Sequence, residues 1–297
     1  MGQRIPVASP PDAMHDQVEG FSSFAIRKTL GEVVATVWRR SKVKNMILVI
    51  VLASTLGLPL TAIGETGEPI VGPVATFSIL GYDPETGLLG AAVQSRVFSV
   101  GNGVLWGEAG VGIVATQAIV DVSYGPQALD LLRENVAPED IVRIIWERDP
   151  DPGYLDYDWP KSGRQFAVMN ADGDVAVFTG KEASEWAGHE IGKFVSAQGN
   201  ILAGPEVVKS MVAAFEATDG HLSLRLMAAL EAGQAAGGDT RGMQSAAMLI
   251  VKEDGGIWLN NDVVLRLQVD DHEQPIAELR RLVEKAHEYF EWPNDTE

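Results

Sequence analysis

The sequence of 297 residues contains no cysteine. This absence excludes a disulfide framework, a thiolate nucleophile, cysteine-ligated zinc and a lipid-modified cysteine at a mature amino terminus. The 5 histidines form no pair at i, i+4 spacing and no pattern typical of a metal site. We therefore predict no metal and no other cofactor.

Basic residues are scarce, with 23 Lys and Arg against 41 Asp and Glu and a formal net charge of −18. Residues 1–75 carry 7 basic and 6 acidic side chains, so the acidic excess belongs to the rest of the chain. A strongly acidic body disfavours nucleic acid and anionic membrane surfaces as main partners. The simplest interpretation is a solvated acidic surface that keeps the protein soluble.

The first 75 residues differ from the rest and divide into three parts. Residues 1–45 form a basic, unpatterned extension, residues 46–64 are an apolar segment without a charge, and residues 65–75 are a Pro- and Gly-containing linker. A basic flank, an apolar core and small residues near Gly64 are typical of a secretory signal. We predict export to the periplasm or medium; the alternative is a membrane anchor formed by residues 46–64, which nearly reach bilayer-spanning length.

The position of cleavage stays open. A cut after Gly64 leaves eleven residues ahead of Thr76, whereas a cut after Ala75 makes Thr76 the amino terminus. Pro73, at the third position before that second cut, is a poor context for signal peptidase.

Residues 76–96 are the stretch around which the remaining chain is organised. Two apolar runs flank the segment from Asp83 to Gly87. Pro84 presets φ for a turn, and Gly87 accepts a positive φ, so the pattern predicts a β-hairpin with Thr76 at the start of its first strand.

The rest of the sequence predicts one α+β domain over residues 76–297. The expected elements are a strand at 110–118, helices at 124–136 and 138–148, a hairpin at 165–178, helices at 204–217 and 222–234, strands at 246–252 and 263–269, and a helix at 275–290. Strands, then helices, then strands and a last helix favour two antiparallel sheets with helices outside them.

Several motifs in order resemble one family. They are Thr76-Phe77-Ser78-Ile79, Ala92-Val93-Gln94-Ser95-Arg96, Ala115-Thr116-Gln117-Ala118, Tyr124-Gly125-Pro126, Gln198-Gly199-Asn200, Leu202-Ala203-Gly204-Pro205, Gly237-Gly238-Asp239 with Arg241-Gly242 and Gln244-Ser245-Ala246, and Val269-Asp270-Asp271-His272. Over about residues 75–285 the chain resembles the family catalogued as domain of unknown function 1028. The resemblance implies the four-layer αββα fold of the N-terminal nucleophile (Ntn) hydrolases, which cleave amide bonds with their first mature residue.

Thr76 is the candidate nucleophile. An α-amine has a pKa of about 7.7 to 8.0, so a free amine on Thr76 would take the proton of its own hydroxyl. Asn200, in an expected tight turn at 198–200, is the candidate donor to an oxyanion. The resemblance places Arg96 where related hydrolases hold a cation that lowers the pKa of the amine.

Five further residues are candidates for substrate binding. Asp239 and Arg241 flank glycines in a loop suited to gripping the amine and carboxylate of a polar substrate, with a structural ion pair as the alternative. Gln94, Ser95 and Gln117 are expected to line the cleft, although small polar residues at strand ends are usually structural.

The sequence thus favours an exported Ntn-type amidohydrolase acting on a small or peptide-like amide. One alternative is a non-catalytic ligand-binding protein on the same fold, in which Thr76 stays within the chain. Another is a structural subunit that assembles into a homo-oligomer through its sheets. No sequence feature names the substrate, because one fold hosts many functions.

Overall fold

The structure, a computed structural model, describes residues 76–153 and 159–290. The basic extension, the apolar segment and the linker of residues 1–75 therefore lie outside the described residues. The described strands are β1 Thr76–Asp83, β2 Leu88–Ser95, β3 Leu105–Glu108, β4 Gly112–Ala118, β5 Arg164–Asn170, β6 Val175–Thr179, β7 Gly188–Gly192, β8 Val195–Asn200, β9 Ser245–Val251 and β10 Val263–Val269.

The strands form two antiparallel sheets. The larger has six strands in the order β10-β9-β2-β1-β8-β7, and the smaller has four in the order β3-β4-β5-β6. The helices of the described residues are α1 Gly101–Val104, α2 Tyr124–Arg133, α3 Pro138–Arg148, α4 Glu206–Ala217, α5 Leu222–Ala235 and α6 Pro275–Tyr289, with a 3-10 turn at Lys161–Gly163.

Three apolar cores define four layers. Helices α4, α5 and α6 cover one face of the large sheet, where Phe77 packs among residues such as Phe215 and Leu226. The two sheets face each other across Leu80, Leu89, Ile113, Met169 and Leu249. Helices α2 and α3 cover the outer face of the small sheet. The predicted α+β fold, an αββα sandwich of two antiparallel sheets, is confirmed.

The first hairpin forms as its turn chemistry predicts. Thr76 pairs with Ser95 at the open end, and Asp83 pairs with Leu88 at the turn. The Asp83 carboxylate accepts hydrogen bonds from the Glu85 amide and the Thr86 hydroxyl, and Gly87 has φ +73°. Strand β1 is thus fixed at the centre of the large sheet, between β2 and β8.

The expectation of a tight turn at residues 198–200 was wrong. These residues end strand β8, and β8 pairs with both β1 and β7. The sequence of β8, Val-Ser-Ala-Gln-Gly-Asn, hides its strand character because Ser196, Gln198 and Asn200 are polar yet fully buried. Strands β3 and β7 and the short helix α1 were also missed, since all three are only four or five residues long.

Candidate active site

Thr76 is the first residue of the central strand β1 and is fully buried. It pairs on one side with Ser95 of β2 and on the other with Asn200 of β8. Its Oγ1 donates a hydrogen bond to Ser95 Oγ over 3.1 Å. Two of the predicted site residues therefore flank the candidate nucleophile directly.

Strand alternation divides the predicted residues between the two faces of the large sheet. Successive side chains on a strand point to opposite faces. Ser95 is in step with Ala91 and Val93, which face the small sheet, whereas Gln94 is in step with Ala92 on the helix-covered face. The Gln94 amide accordingly donates to the Gly242 carbonyl at 3.4 Å, in the loop before β9. Gln94 is thus separated from Thr76 by the sheet.

Gln165 of β5 is the centre of a buried polar network between the sheets. Its Nε2 donates to the Gly199 carbonyl at 2.9 Å, the Gly188 carbonyl at 3.1 Å and Thr179 Oγ1 at 3.0 Å. Its Oε1 accepts from Gln117 Nε2 at 2.8 Å and from Asn200 Nδ2 at 3.3 Å. Gln165 therefore connects the small sheet to the strand that carries Asn200.

The network continues from Gln117 into the large sheet. The Ser78 hydroxyl donates to Gln117 Oε1, Gln198 Nε2 donates to Ser78 Oγ, and the Ser196 hydroxyl donates to Gln198 Oε1, each over 2.6 Å. Gln117, expected to line a cleft, is thus a fully hydrogen-bonded link between the sheets. All these residues are neutral and at most 1% exposed.

Four residues of this network have no role predicted from the sequence: Gln165, Ser78, Gln198 and Ser196. One signal was present: polar residues recur at every second position in β8, and Thr76 and Ser78 do the same in β1. Gln165 carried no such signal, because the alternate positions after it in β5, Ala167 and Met169, are apolar.

Asn200 uses its amide hydrogens within the protein. Its Nδ2 contacts the Thr76 carbonyl at 3.5 Å and Gln165 Oε1 at 3.3 Å. Its Oδ1 is buried and has no hydrogen-bond partner within residues 76–153 and 159–290. The predicted oxyanion donor thus presents a hydrogen-bond acceptor as its remaining polar atom.

Asp239 and Arg241 form an ion pair in the loop between α5 and β9. The buried Asp239 carboxylate accepts from the Arg241 amide at 2.9 Å, from Arg241 Nη2 at 3.1 Å and from the Arg96 amide at 3.2 Å. Leu202, just after β8, forms a bridge with Asp239. The pair therefore ties the ends of β2 and β8 together beside Thr76, and its role in substrate binding stays a prediction.

The Arg96 side chain is turned toward the same loop. Its Nη1 donates to the Met243 carbonyl at 2.9 Å, in an exposed position. The backbone amide of Arg96 is the part that Asp239 holds. Its guanidinium is thus engaged at the loop that precedes β9, and its predicted effect on the Thr76 amine stays a prediction.

His189, on the edge strand β7, is a titratable group that contacts the network through Thr179. Its Nδ1 lies 3.2 Å from Thr179 Oγ1, which also accepts from Gln165. Partial desolvation lowers the pKa of the His189 imidazole, while the nearby Glu190 carboxylate acts in the opposite direction on this exposed side chain.

The described part of the chain contains neither a metal-binding group of side chains nor a membrane-spanning helix. No group of three His, Asp or Glu side chains there is arranged to hold a metal ion. None of the helices between residues 76 and 290 has the length and hydropathy needed to cross a membrane.

Comparisons with known proteins identify relatives without a stated activity. The family described as "Family of unknown function (DUF1028)" matches residues 76–279. The crystal structure of protein SPO2555 from Silicibacter pomeroyi, of the same family, is similar with a TM-score of 0.63 and 34% sequence identity. The similarity covers 71% of this chain and 89% of that one. Among curated proteins no match was found.

Proposed function

The chain belongs to the DUF1028 family of unknown function, and on that premise we propose that it is an exported Ntn-type amidohydrolase with Thr76 as nucleophile. The substrate class is a small or peptide-like amide. The activity requires that the bond before Thr76 be cleaved, because a threonine within a chain has no amine of its own to act as base.

The position of Thr76 carries the proposal. It begins the central strand of the large sheet, and it is flanked by the side chains of Ser95 and Asn200 at the polar end of the space between the sheets. The family match begins at the same residue. A hydroxyl nucleophile on a strand fixed from both sides meets the need for a preorganised reacting group.

The chemistry follows from the two groups that Thr76 would then hold. Its neutral amine takes the proton of its own Oγ1, directly or through one water, as Oγ1 attacks the substrate carbonyl. The ammonium returns that proton to the leaving nitrogen, and the C–N bond breaks to give an ester on Thr76. Water, deprotonated by the same amine, attacks the ester; the C–Oγ1 bond breaks, the ammonium returns the proton to Oγ1, and the acid is released.

Ser95 and Asn200 would orient the nucleophile. The hydrogen bond from Thr76 Oγ1 to Ser95 Oγ selects one position of the hydroxyl, and the Asn200 amide contacts the Thr76 carbonyl. The Asp239–Arg241 pair would fix the loop beside the site, because it holds the Arg96 amide at the end of β2. These roles position the reacting group and do not supply charge to it.

The amino-terminal sequence and intact mass of the mature protein from its native host test the proposal. A start at Thr76 is expected. A mature chain that starts at Glu65, or an uncut chain, leaves Thr76 without its base and contradicts the hydrolase proposal.

A non-catalytic ligand-binding protein is the second candidate. It is favoured by the Asn200 amide, whose hydrogens contact Thr76 and Gln165 and so are engaged before any oxyanion arrives. A chain released by a protease so that it starts at Thr76 separates the two candidates. Only the enzyme gains turnover of an amide library from the new amine, whereas the binding protein shows unchanged ligand affinity.

A further inference from the structure

The buried network has a fixed hydrogen-bond direction. Gly188 and Gly199 contribute carbonyl oxygens, which only accept, and both lie within 3.1 Å of Gln165 Nε2. A reversed Gln165 amide would place Oε1 against two carbonyl oxygens. The backbone of β7 and β8 therefore sets Gln165 Nε2 as the donor on that side and Oε1 as the acceptor on the other.

The same logic sets the orientation of Asn200. Its Nδ2 faces the Thr76 carbonyl and Gln165 Oε1, and both of these are acceptors. A reversed Asn200 amide would place Oδ1 against the Thr76 carbonyl oxygen and Gln165 Oε1, with no hydrogen between the paired oxygens. The orientation with Oδ1 directed away from Gln165 is thus the one that avoids oxygen–oxygen contacts, and it leaves a fully buried oxygen unpartnered within the described residues.

A buried amide oxygen without a donor costs about 1 to 3 kcal/mol, so such an atom beside a candidate nucleophile needs a physical reason. We propose that Asn200 Oδ1 is a ligand-binding acceptor that recognises an N–H group. The ligand class is then a secondary or primary amide that keeps at least one hydrogen on nitrogen; esters and fully substituted amides lack the required donor.

This inference deepens the proposed function and rests on it for the identity of the reacting bond. Recognition of N–H does not itself need catalysis. A site that accepts a hydrogen bond from a ligand discriminates strongly against an analogue that lacks the donor, because the buried acceptor is then left unpaired. The preference for N–H is therefore measurable by binding alone.

The test uses N-methylacetamide and methyl acetate, two small probes of the same shape that differ by N–H against O. Each is titrated into the full chain carrying Thr76→Ala, and the side-chain amide resonances of Asn200 are followed by NMR. A saturable shift with N-methylacetamide, and binding of methyl acetate at least tenfold weaker, is the expected result. Equal shifts with the two probes, or no shift with either, overturn the inference.

Two substitutions localise the effect. Asn200→Ala is expected to abolish the difference in affinity between the two probes. Ser196→Ala is the control and is expected to keep that difference, because it changes the same face of β8 at the far end of the network. If Asn200→Ala does not fold, the titration of the Thr76→Ala chain still decides. If the Thr76→Ala chain is selective for N-methylacetamide but the chain that starts at Thr76 shows no turnover, the hydrolase is refuted and the acceptor role of Asn200 stands. If the chain that starts at Thr76 shows turnover but the Thr76→Ala chain is not selective, the acceptor role alone is refuted.

Discussion

The hydroxyl of Thr76 and the hydroxyl of Ser95 are hydrogen-bonded across adjacent strands at 3.1 Å. The two residues are register partners at the open end of the first hairpin, and both are fully buried. This contact favours one orientation of the Thr76 hydroxyl, as the proposed nucleophile would require; a cross-strand hydrogen bond of this kind also stabilises an ordinary sheet.

Thr76→Ala is expected to remove turnover by a factor of about 10³ or more in the chain that starts at position 76, because no other group replaces the attacking oxygen. Thr76→Ser, which keeps an amine and a hydroxyl on one residue, is the matched control and retains part of the activity. Release of product from an amide library, followed by mass spectrometry, measures both. Equal activity of the alanine variant and the unmodified chain would remove Thr76 from the mechanism.

Ser95→Ala tests orientation separately from chemistry. The loss of one neutral hydrogen bond to Oγ1 is expected to cost about 1 kcal/mol, or a factor of about five, in kcat with little change in KM. Ser78→Ala is the control, since its hydroxyl contacts Gln117 and Gln198 instead of Thr76. A larger loss for the Ser78 variant than for the Ser95 variant would contradict an orienting role of Ser95.

Gly81 lies in the middle of β1 under helix α4. A Cβ placed there would be 2.6 Å from Phe215 Cε2, a fully buried ring. Gly81→Ala is therefore expected to destabilise the domain by about 1 to 3 kcal/mol through overpacking. Urea unfolding measures the change.

Gly103→Ala is the comparison for this overpacking. Its added methyl would meet only Val122 Cγ1, at 3.3 Å, and Val122 is 47% exposed and free to shift. Its effect is expected to stay within about 0.5 kcal/mol. If the two glycine variants have equal stability, helix α4 does not pack on β1 as closely as described.

The parts of the fold that the sequence predicted are those fixed by local chemistry. The first hairpin follows from Pro84 and Gly87, and helix α3 begins at Pro138 because proline suits the first turn of a helix. Strand β8 could not be predicted in this way. Its inward side chains are polar, and their partners are supplied by β1 and β5, which are distant in the chain.

In the candidate site, too, some residues could be predicted from local patterns and others only from the fold. Thr76, Ser95, Gln117 and Asn200 were named from sequence, and the two antiparallel sheets bring them to one end of the space between them. Gln94 was grouped with them although strand alternation places it on the opposite face. Gln165 was missed, because its role depends on carbonyl groups of β7 and β8 that no local pattern identifies.

A buried ion pair outside the site predicts how the domain responds to acid. Arg164 Nε donates to Asp149 Oδ2 at 3.1 Å, and the Tyr124 hydroxyl donates to the same oxygen. Burial alone would raise the pKa of Asp149, but the hydrogen bonds from Tyr124, the Asp151 amide and Arg164 outweigh it and lower the pKa. The folded state therefore binds a proton at Asp149 less readily than the unfolded chain does.

The sign of the pH effect follows. The contribution of Asp149 to stability is fully present above the ordinary carboxyl pKa of about 3.9 and is lost as pH falls below it through the lower folded value. Asp149→Asn removes this contribution and is expected to cost about 3 to 5 kcal/mol at pH 7, because Arg164, 4% exposed in its side chain, loses its counterion. Urea unfolding between pH 3 and pH 7 measures both effects.

Asp140→Asn is the control, because Asp140 pairs with Arg143 on the exposed face of α3 and such surface pairs contribute about 0 to 1 kcal/mol. The unmodified domain should lose more stability between pH 5 and pH 3 than the Asp149→Asn variant does, since the variant has no carboxylate left to protonate at that position. If the stability of the unmodified domain and that of the Asp149→Asn variant fell in parallel with pH, Asp149 would not be among the groups that make the domain sensitive to acid.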